Sequence, residues 1–141
     1  MLEIGSAYGY SAVAMALAGA RVTAVDPHNW LDSYGPMVAN LSYYYQVTPR
    51  VEILREDSRT ALPRLVEQGC GFDLVWIDGD HAAAMVAHDV DWARKLLRPD
   101  GTLACHDYDE ISCPGVREAL DAWNPPPRLV DTMAIYGPGE W

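Results

Sequence analysis

The sequence predicts an α/β fold, doubly wound: a mostly parallel sheet with helices on both faces and an antiparallel hairpin strand at its C-terminal edge. Three observations predict it. Short β-rich runs alternate with helix-forming runs along the chain, as in strands joined by helical crossovers. Two of the strand runs, RVTAVD and FDLVWID, close on an acid. The last two runs, RLVDT and MAIY, stand too close for a helical crossover and fit antiparallel neighbours.

The elements follow in order. Leu2–Ile4 is a short strand, and YSAVAMALA from Tyr10 to Ala18 is a strong helix former with Gly19 as its C-cap. Residues 21–26 form the second strand and 28–35 a polar, aromatic loop. A helix with proline at its start is expected over 36–46, a strand over 51–55, and a helix over 58–68 with Ser58 as N-cap. Phe72–Asp78 is a buried strand. The longest helix covers 82–97, with Met85, Val86, Val90, Ala93, Leu96 and Leu97 on one face. Arg98-Pro99-Asp100-Gly101 reads as a turn, 102–105 as a strand, and 115–123 as a helix. Pro125-Pro126-Pro127 reads as a stiff loop. With 141 residues and no repeat, the chain reads as a single domain over 1–141.

Composition narrows the function. The net charge is -10, with one lysine, Lys95, among ten basic residues. No basic stripe is present to replace phosphate counterions, so a nucleic-acid partner is not expected. No run approaches a membrane span, and no basic region precedes an apolar run, so neither membrane insertion nor a signal peptide is expected. Cys70, Cys105 and Cys113 are odd in number and lack ligand-like spacing, which fits a reducing cytoplasm.

The chemistry concentrates at strand ends. In an open parallel sheet, ligands bind beyond the carboxyl ends of the strands, where strand order switches. There the first strand runs into E-x-G-x-x-x-G, from Glu3 through Gly5 to Gly9. Ala7 stands where a dinucleotide motif would have its second glycine, which argues against a closely seated pyrophosphate. Asp26, 21 residues beyond Gly5, suits a carboxylate bridging two ribose hydroxyls. His28 and Trp30, in the loop that follows, suit the flanks of an adenine. Asp57 suits the exocyclic amine of an adenine and Ser58 a backbone contact to its ring. The bland alternatives are tight-turn glycines and helix caps; three such features on successive strands favour a ligand. Tyr43-Tyr44-Tyr45 reads as core or interface, and His88 as solvated.

These residues resemble the class I S-adenosylmethionine-dependent methyltransferases. LEIGSAYGYSAVAMALAGARVTAVD is similar to the cofactor motif of small-molecule O-methyltransferases. FDLVWIDGDHAAAMVAHDVDWARKLLRPDGTLACHDYDEISCPGV resembles the metal-assisted branch, which includes the catechol, caffeoyl-CoA and antibiotic-sugar enzymes. The resemblance implies a Rossmann-like, seven-stranded sheet. It implies cofactor contacts from Glu3, Gly5, Ser6, Tyr8, Gly9 and Ser11 in the first block, and from Asp26, Pro27, His28, Asp57, Ser58 and Asp78 at later strand ends. The expected acceptor is a small hydroxylated molecule: a sugar, a phenol or a natural product.

A hydroxyl is a poor nucleophile, and a divalent ion lowers its pKa and orients it. The resemblance implies such an ion, magnesium or manganese, at Asp78, His106 and Asp107. His106 departs from the acidic residue of the related enzymes, and imidazole suits manganese or later metals better than magnesium. An iron site of His81, His106 and Asp107 is a further alternative. Asp80 or His81 is the expected catalytic base; the bland alternative places both at the start of the long helix. Related enzymes carry helices ahead of the first strand, for which Met1 leaves no room. The expectation is a pocket left open, closed by residues 32–46, or completed by a second copy in a homodimer. A metal-independent N- or O-methyltransferase and a non-catalytic cofactor-binding subunit stay open as alternatives.

Overall fold

A computed structural model describes residues 1–122 and 126–141. Seven strands form one sheet: β1 (Leu2–Ile4), β2 (Val22–Val25), β3 (Val51–Leu54), β4 (Phe72–Ile77), β5 (Leu97–Cys105), β6 (Arg128–Val130) and β7 (Met133–Tyr136). Their order is β3-β2-β1-β4-β5-β7-β6. β1 pairs in parallel with β2 on one side and β4 on the other, so strand order reverses between β1 and β4. β7 lies antiparallel between β5 and β6, the hairpin expected from the short link at residues 131–132.

Among the described residues, five α-helices cover the two faces: α1 (Tyr10–Leu17), α2 (Tyr34–Tyr43), α3 (Ser58–Glu67), α4 (Ala83–Leu96) and α5 (Pro114–Asp121). One core layer joins Val13 and Ala16 of α1 and Met37 and Leu41 of α2 to Val22 and Ala24 of β2. The other packs Leu62 and Leu65 of α3, Val86, Val90 and Leu96 of α4 and Leu120 of α5 against Val75 and Leu103. Each fully buried Leu or Val stabilises the fold by roughly 1.5–3 kcal/mol before entropy is counted. The α4 stripe follows the expected face, except that Met85 turns toward a cavity described below. In its place the face buries Asp89.

Several local readings change. α3 is capped by Asp57, which accepts the Arg59 N–H at 2.9 Å, and Ser58 is its first residue. α2 starts at Tyr34, ahead of the proline, and ends at Tyr43. The expected 98–101 turn is present inside β5 as a bulge: Leu97 pairs with Phe72 and Thr102 with Leu74, and a Cβ on Gly101 would stand 2.9 Å from the Arg98 carbonyl oxygen. α5 begins at Pro114, one residue early; its expected end at Trp123, and Pro125 of the triple proline, lie outside the described residues. Tyr43 and Tyr45 are exposed, so the tyrosine run is no part of the core. α1 ends at Leu17, one residue early, with Ala18 as its C-cap; Gly19, at φ 101°, follows the last turn, and the Ala20 N–H reaches back to Met15 O at 3.1 Å.

Candidate active site

A cavity of about 1070 Å³ opens at the carboxyl ends of β1, β2 and β4, beside the reversal of strand order. Its volume stands at the upper end of the range for small-molecule sites. Ile4 and Val25 form apolar floor, and Gly5, Ser6, Ala7, Tyr8 and Ser11 contribute the β1–α1 segment. Asp26, Pro27, Asn29 and Trp30 follow β2. Asp57, Ser58 and Arg59 follow β3, and Asp78, Asp80, His81 and His106 follow β4 and β5.

The β1–α1 turn is built on positive φ at Gly5 (88°), Ala7 (42°) and Gly9 (78°). A Cβ on Gly5 would collide with the backbone carbonyl of Asp78, so this glycine brings two strand ends together. A Cβ on Gly9 would meet only the flexible Met37 side chain, at 2.8 Å; Gly9 itself is not in the cavity wall. Asp26 ties β2 to the turn. Its Oδ2 accepts the Ala7 N–H at 2.8 Å, and its Oδ1 accepts the His28 N–H. Both oxygens keep further lone pairs for a ligand.

Glu3 lies fully buried behind this turn, and neither carboxylate oxygen has an aligned hydrogen-bond partner. Burial pushes its pKa up to about 7; the Ser11 hydroxyl offsets part of that, while Asp78 and Asp26 push it higher. Three acids from three strands therefore act on one another at one rim. Asp57 differs: Arg59 grips its carboxylate at 2.8 and 2.7 Å, and that pairing holds its pKa down at about 2. Its free lone pairs, not a free side chain, face the cavity.

His28 stays outside. Its φ of 54° turns the ring inward, where Nδ1 lies 2.9 Å from Ser33 Oγ and the ring packs edge-on against Tyr34. Trp30 lines the cavity, with its ring 5.8 Å from that of Tyr8. The sequence reading also missed Asn29, Arg59, Met85 and Asp89 in the wall. Asp89 is buried against Ser58 and His88, and burial pushes its pKa up. His88 is accordingly half-buried, its Nδ1 3.1 Å from Asp89 Oδ1, rather than solvated. An acid interrupting the apolar stripe of the long helix was the signal available for Asp89.

Asp78, His106 and Asp107 converge at the other end of the cavity. His106 Nδ1 lies 3.4 Å from Asp78 Oδ1 and 3.0 Å from Asp107 Oδ1, and one donor atom from each residue falls within 4.8 Å of the others. Thr132 Oγ1 stands 3.4 Å from His106 Nε2 and occupies the other ring nitrogen. Burial raises the Asp78 pKa, against the opposing pull of His106. The donor set of one imidazole and two carboxylates fits manganese or a later divalent metal better than magnesium. The iron alternative of His81, His106 and Asp107 is not one of the convergent sets among the described residues. Asp80 Oδ1 accepts the Ala82 N–H at 2.9 Å, just before α4, and His81 Nε2 lies 3.9 Å from Asp78 Oδ1. Both side chains are therefore fixed ahead of the helix, facing the cavity. Cys113, which spacing gave no reason to include, reaches His81 Nδ1 at 3.3 Å.

A sheet of this order, with an acid-rimmed cavity at its switch point, defines the class I methyltransferase fold. The methyltransferase-domain family model matches residues 2–108, and the chain belongs to that family. Among solved structures it is similar to CalS11, a TDP-rhamnose 3′-O-methyltransferase of calicheamicin biosynthesis, with TM-score 0.78, 18% identity and coverage of 99% of this chain and 71% of that one. Cofactor-bound Rv0187 from MTB matches with TM-score 0.78, 25% identity and coverage of 99% and 72%. The O-methyltransferase from Bacillus cereus, in complex with SAH, matches with TM-score 0.71, 22% identity and coverage of 85% and 59%. No curated protein sequence matches. Among the described residues, no helix is long and apolar enough to cross a membrane.

Proposed function

We propose that residues 1–141 act as one S-adenosylmethionine-binding domain that methylates a hydroxyl of a small acceptor, with a divalent ion held by Asp78, His106 and Asp107. One observation carries this reading. The acid rim of Asp26 and Asp57 and the converging Asp78 and His106 line the same cavity. Bound S-adenosylmethionine supplies the methyl electrophile, and a divalent ion supplies Lewis acidity to the acceptor oxygen.

The chain's own residues do the rest. Asp26 accepts the ribose hydroxyls with the lone pairs that Ala7 and His28 leave. Glu3, fully buried behind the turn and outside the cavity wall, favours an ammonium group through its charge rather than by contact; a phosphate would be repelled by this rim. Asp57, held by Arg59, and Ser58 border the adenine. Tyr8 and Trp30 offer ring faces to it. Asp80 or His81 would take the acceptor's proton as the carbon–oxygen bond forms and the methyl–sulfur bond breaks, the sulfonium leaving as a neutral thioether. The exposed Tyr10 and Trp30 at the cavity rim leave the acceptor side to a cover, supplied in this reading by a second copy in a cytoplasmic homodimer.

The experiment is transfer of a labelled methyl group to a panel of sugars, phenols and amines, with manganese, with magnesium and with excess chelator. Transfer to a hydroxyl that chelator abolishes and manganese restores is the expected result. Undiminished transfer in chelator would leave a metal-independent enzyme, and cofactor binding without turnover on any acceptor would leave an accessory subunit.

A further inference from the structure

Asp107 turns one carboxylate oxygen to each of two ligand groups. Its Oδ1 faces His106, in the group described above. Its Oδ2 lies 3.2 Å from His81 Nε2 and 3.9 Å from Cys113 Sγ. Cys113 Sγ lies 3.3 Å from His81 Nδ1. One donor atom from each of His81, Asp107 and Cys113 falls within 4.8 Å of the other two. We propose that these three residues form a second cation site, bridged to the first through Asp107 and selective for a thiophilic divalent ion such as zinc.

Three further observations support a built site. His81 Nε2 is a buried atom with no aligned hydrogen bond, although a carboxylate oxygen stands 3.2 Å away. A hydrogen-bonded pair would aim the N–H at that oxygen; a ligand nitrogen aims instead at a point between the donors. Asp107 sits at φ 58°, a left-handed conformation that costs an L-residue energy and here sets its carboxylate between the two groups. A Cβ on Gly115 would collide with the His81 carbonyl. The start of α5 is therefore seated directly on the His81 backbone, and Cys113 cannot drift from the imidazole.

The chemistry selects the ion. Donors around a tetrahedral zinc stand roughly 3.3–3.8 Å apart, given its usual bond lengths. Asp107 Oδ2 stands 3.2 Å from His81 Nε2 and 3.9 Å from Cys113 Sγ, close to that spacing; the 3.3 Å contact of Cys113 is to Nδ1, so the thiol turns toward Nε2 to share the ion. Magnesium and calcium take oxygen ligands and leave a thiol alone, whereas zinc, cobalt and cadmium accept sulfur, imidazole and carboxylate together. On binding, the Cys113 thiol gives its proton to solvent and coordinates as thiolate. Three protein donors leave a fourth position to water, as His81 is partly exposed on the cavity side. The site stands on its own geometry; only its effect on catalysis rests on the function proposed above. An ion on His81 withholds that imidazole from proton transfer, so zinc acts as an inhibitor wherever His81 is the base.

Cobalt(II), a spectroscopic stand-in for zinc, tests the proposal when titrated into metal-free protein. Wild type and Asp78→Asn are expected to develop a sulfur-to-cobalt charge-transfer band in the near ultraviolet, and Cys113→Ser to lack it. No band in wild type, or a band that survives in Cys113→Ser, overturns the proposal. Loss of the band in Asp78→Asn also overturns it, because the two groups would then be one site. Manganese binding, read by electron paramagnetic resonance, is expected to survive in Cys113→Ser. Its absence in wild type with the cobalt band intact would defeat the first site and leave the second standing. Should Cys113→Ser not fold, alkylation of wild type decides: zinc is expected to slow modification of Cys113 but not of Cys70, and an unchanged rate at Cys113 overturns the site.

Discussion

The Asp26 carboxylate accepts the backbone N–H of Ala7 at 2.8 Å, across 19 residues of chain. The same side chain that offers lone pairs to a ribose thus fixes the turn that borders it. Asp26→Ala is expected to lower stability by roughly 2–3 kcal/mol, the usual worth of a partly buried, charge-assisted hydrogen bond. Urea unfolding measures this. A change within about 0.5 kcal/mol, as for a surface substitution, would mean that the turn holds its shape without the carboxylate.

Three glycines at positive φ should differ in what alanine does to them. Gly5→Ala meets backbone, Gly9→Ala meets the movable Met37, and Gly19→Ala meets nothing within 4 Å. All three share the left-handed strain of roughly 1–2 kcal/mol. Gly5→Ala adds a clash that β1 and β4 cannot both accommodate, for a total above about 4 kcal/mol. Thermal unfolding is expected to rank them Gly5, Gly9, Gly19, from most to least destabilised. Equal losses at Gly5 and Gly19 would contradict the close approach to Asp78.

Glu3 predicts a pH dependence with a definite sign. Its folded pKa, about 7, lies above the ordinary 4.5 because the charged form is buried. Between these values the folded state holds a proton that the unfolded state has lost. Stability therefore falls as pH rises from about 4.5 to about 7, by up to roughly 3 kcal/mol, and then levels off. Glu3→Gln is expected to flatten this slope. An ammonium group at the site favours ionised Glu3, so cofactor affinity should rise over the same window in wild type and not in Glu3→Gln. Parallel pH profiles for the two proteins would remove Glu3 from both roles.

The Thr132 hydroxyl beside His106 Nε2 directs the ring's other nitrogen toward Asp78 and Asp107. His106→Ala is expected to abolish manganese binding. Thr132→Val, which removes only the hydroxyl, should weaken it by about tenfold, a typical cost of losing a partner behind a ligand. Equilibrium dialysis with manganese measures both. Full affinity in His106→Ala would show that the ion, if bound, sits elsewhere.

Much of the sheet was legible because its central strands are short, largely apolar, buried runs, as in Leu2–Ile4 and Val22–Val25, while β3 at the edge is only partly buried. The acids that close those runs had to meet at one edge, since parallel strands align their carboxyl ends. What composition hid was decided by tertiary contact. Arg98-Pro99-Asp100-Gly101 has turn chemistry and forms the turn, but as a bulge within β5, because Leu97 before it already pairs with Phe72. His28 has the residue type of an adenine wall, but a single positive φ turns it inward. Cys113 lies 32 residues from His81 in sequence and reaches it only because α5 begins on the His81 loop. No local spacing encodes that meeting.

Calorimetric titration of wild type and Asp26→Ala with S-adenosylmethionine tests the acid-rimmed cavity most directly. Saturable one-to-one binding in wild type, lost in an Asp26→Ala protein that still unfolds cooperatively, is the expected result. No heat of binding in wild type, or equal affinity in the folded variant, would contradict the assignment of this cavity to the methyl donor.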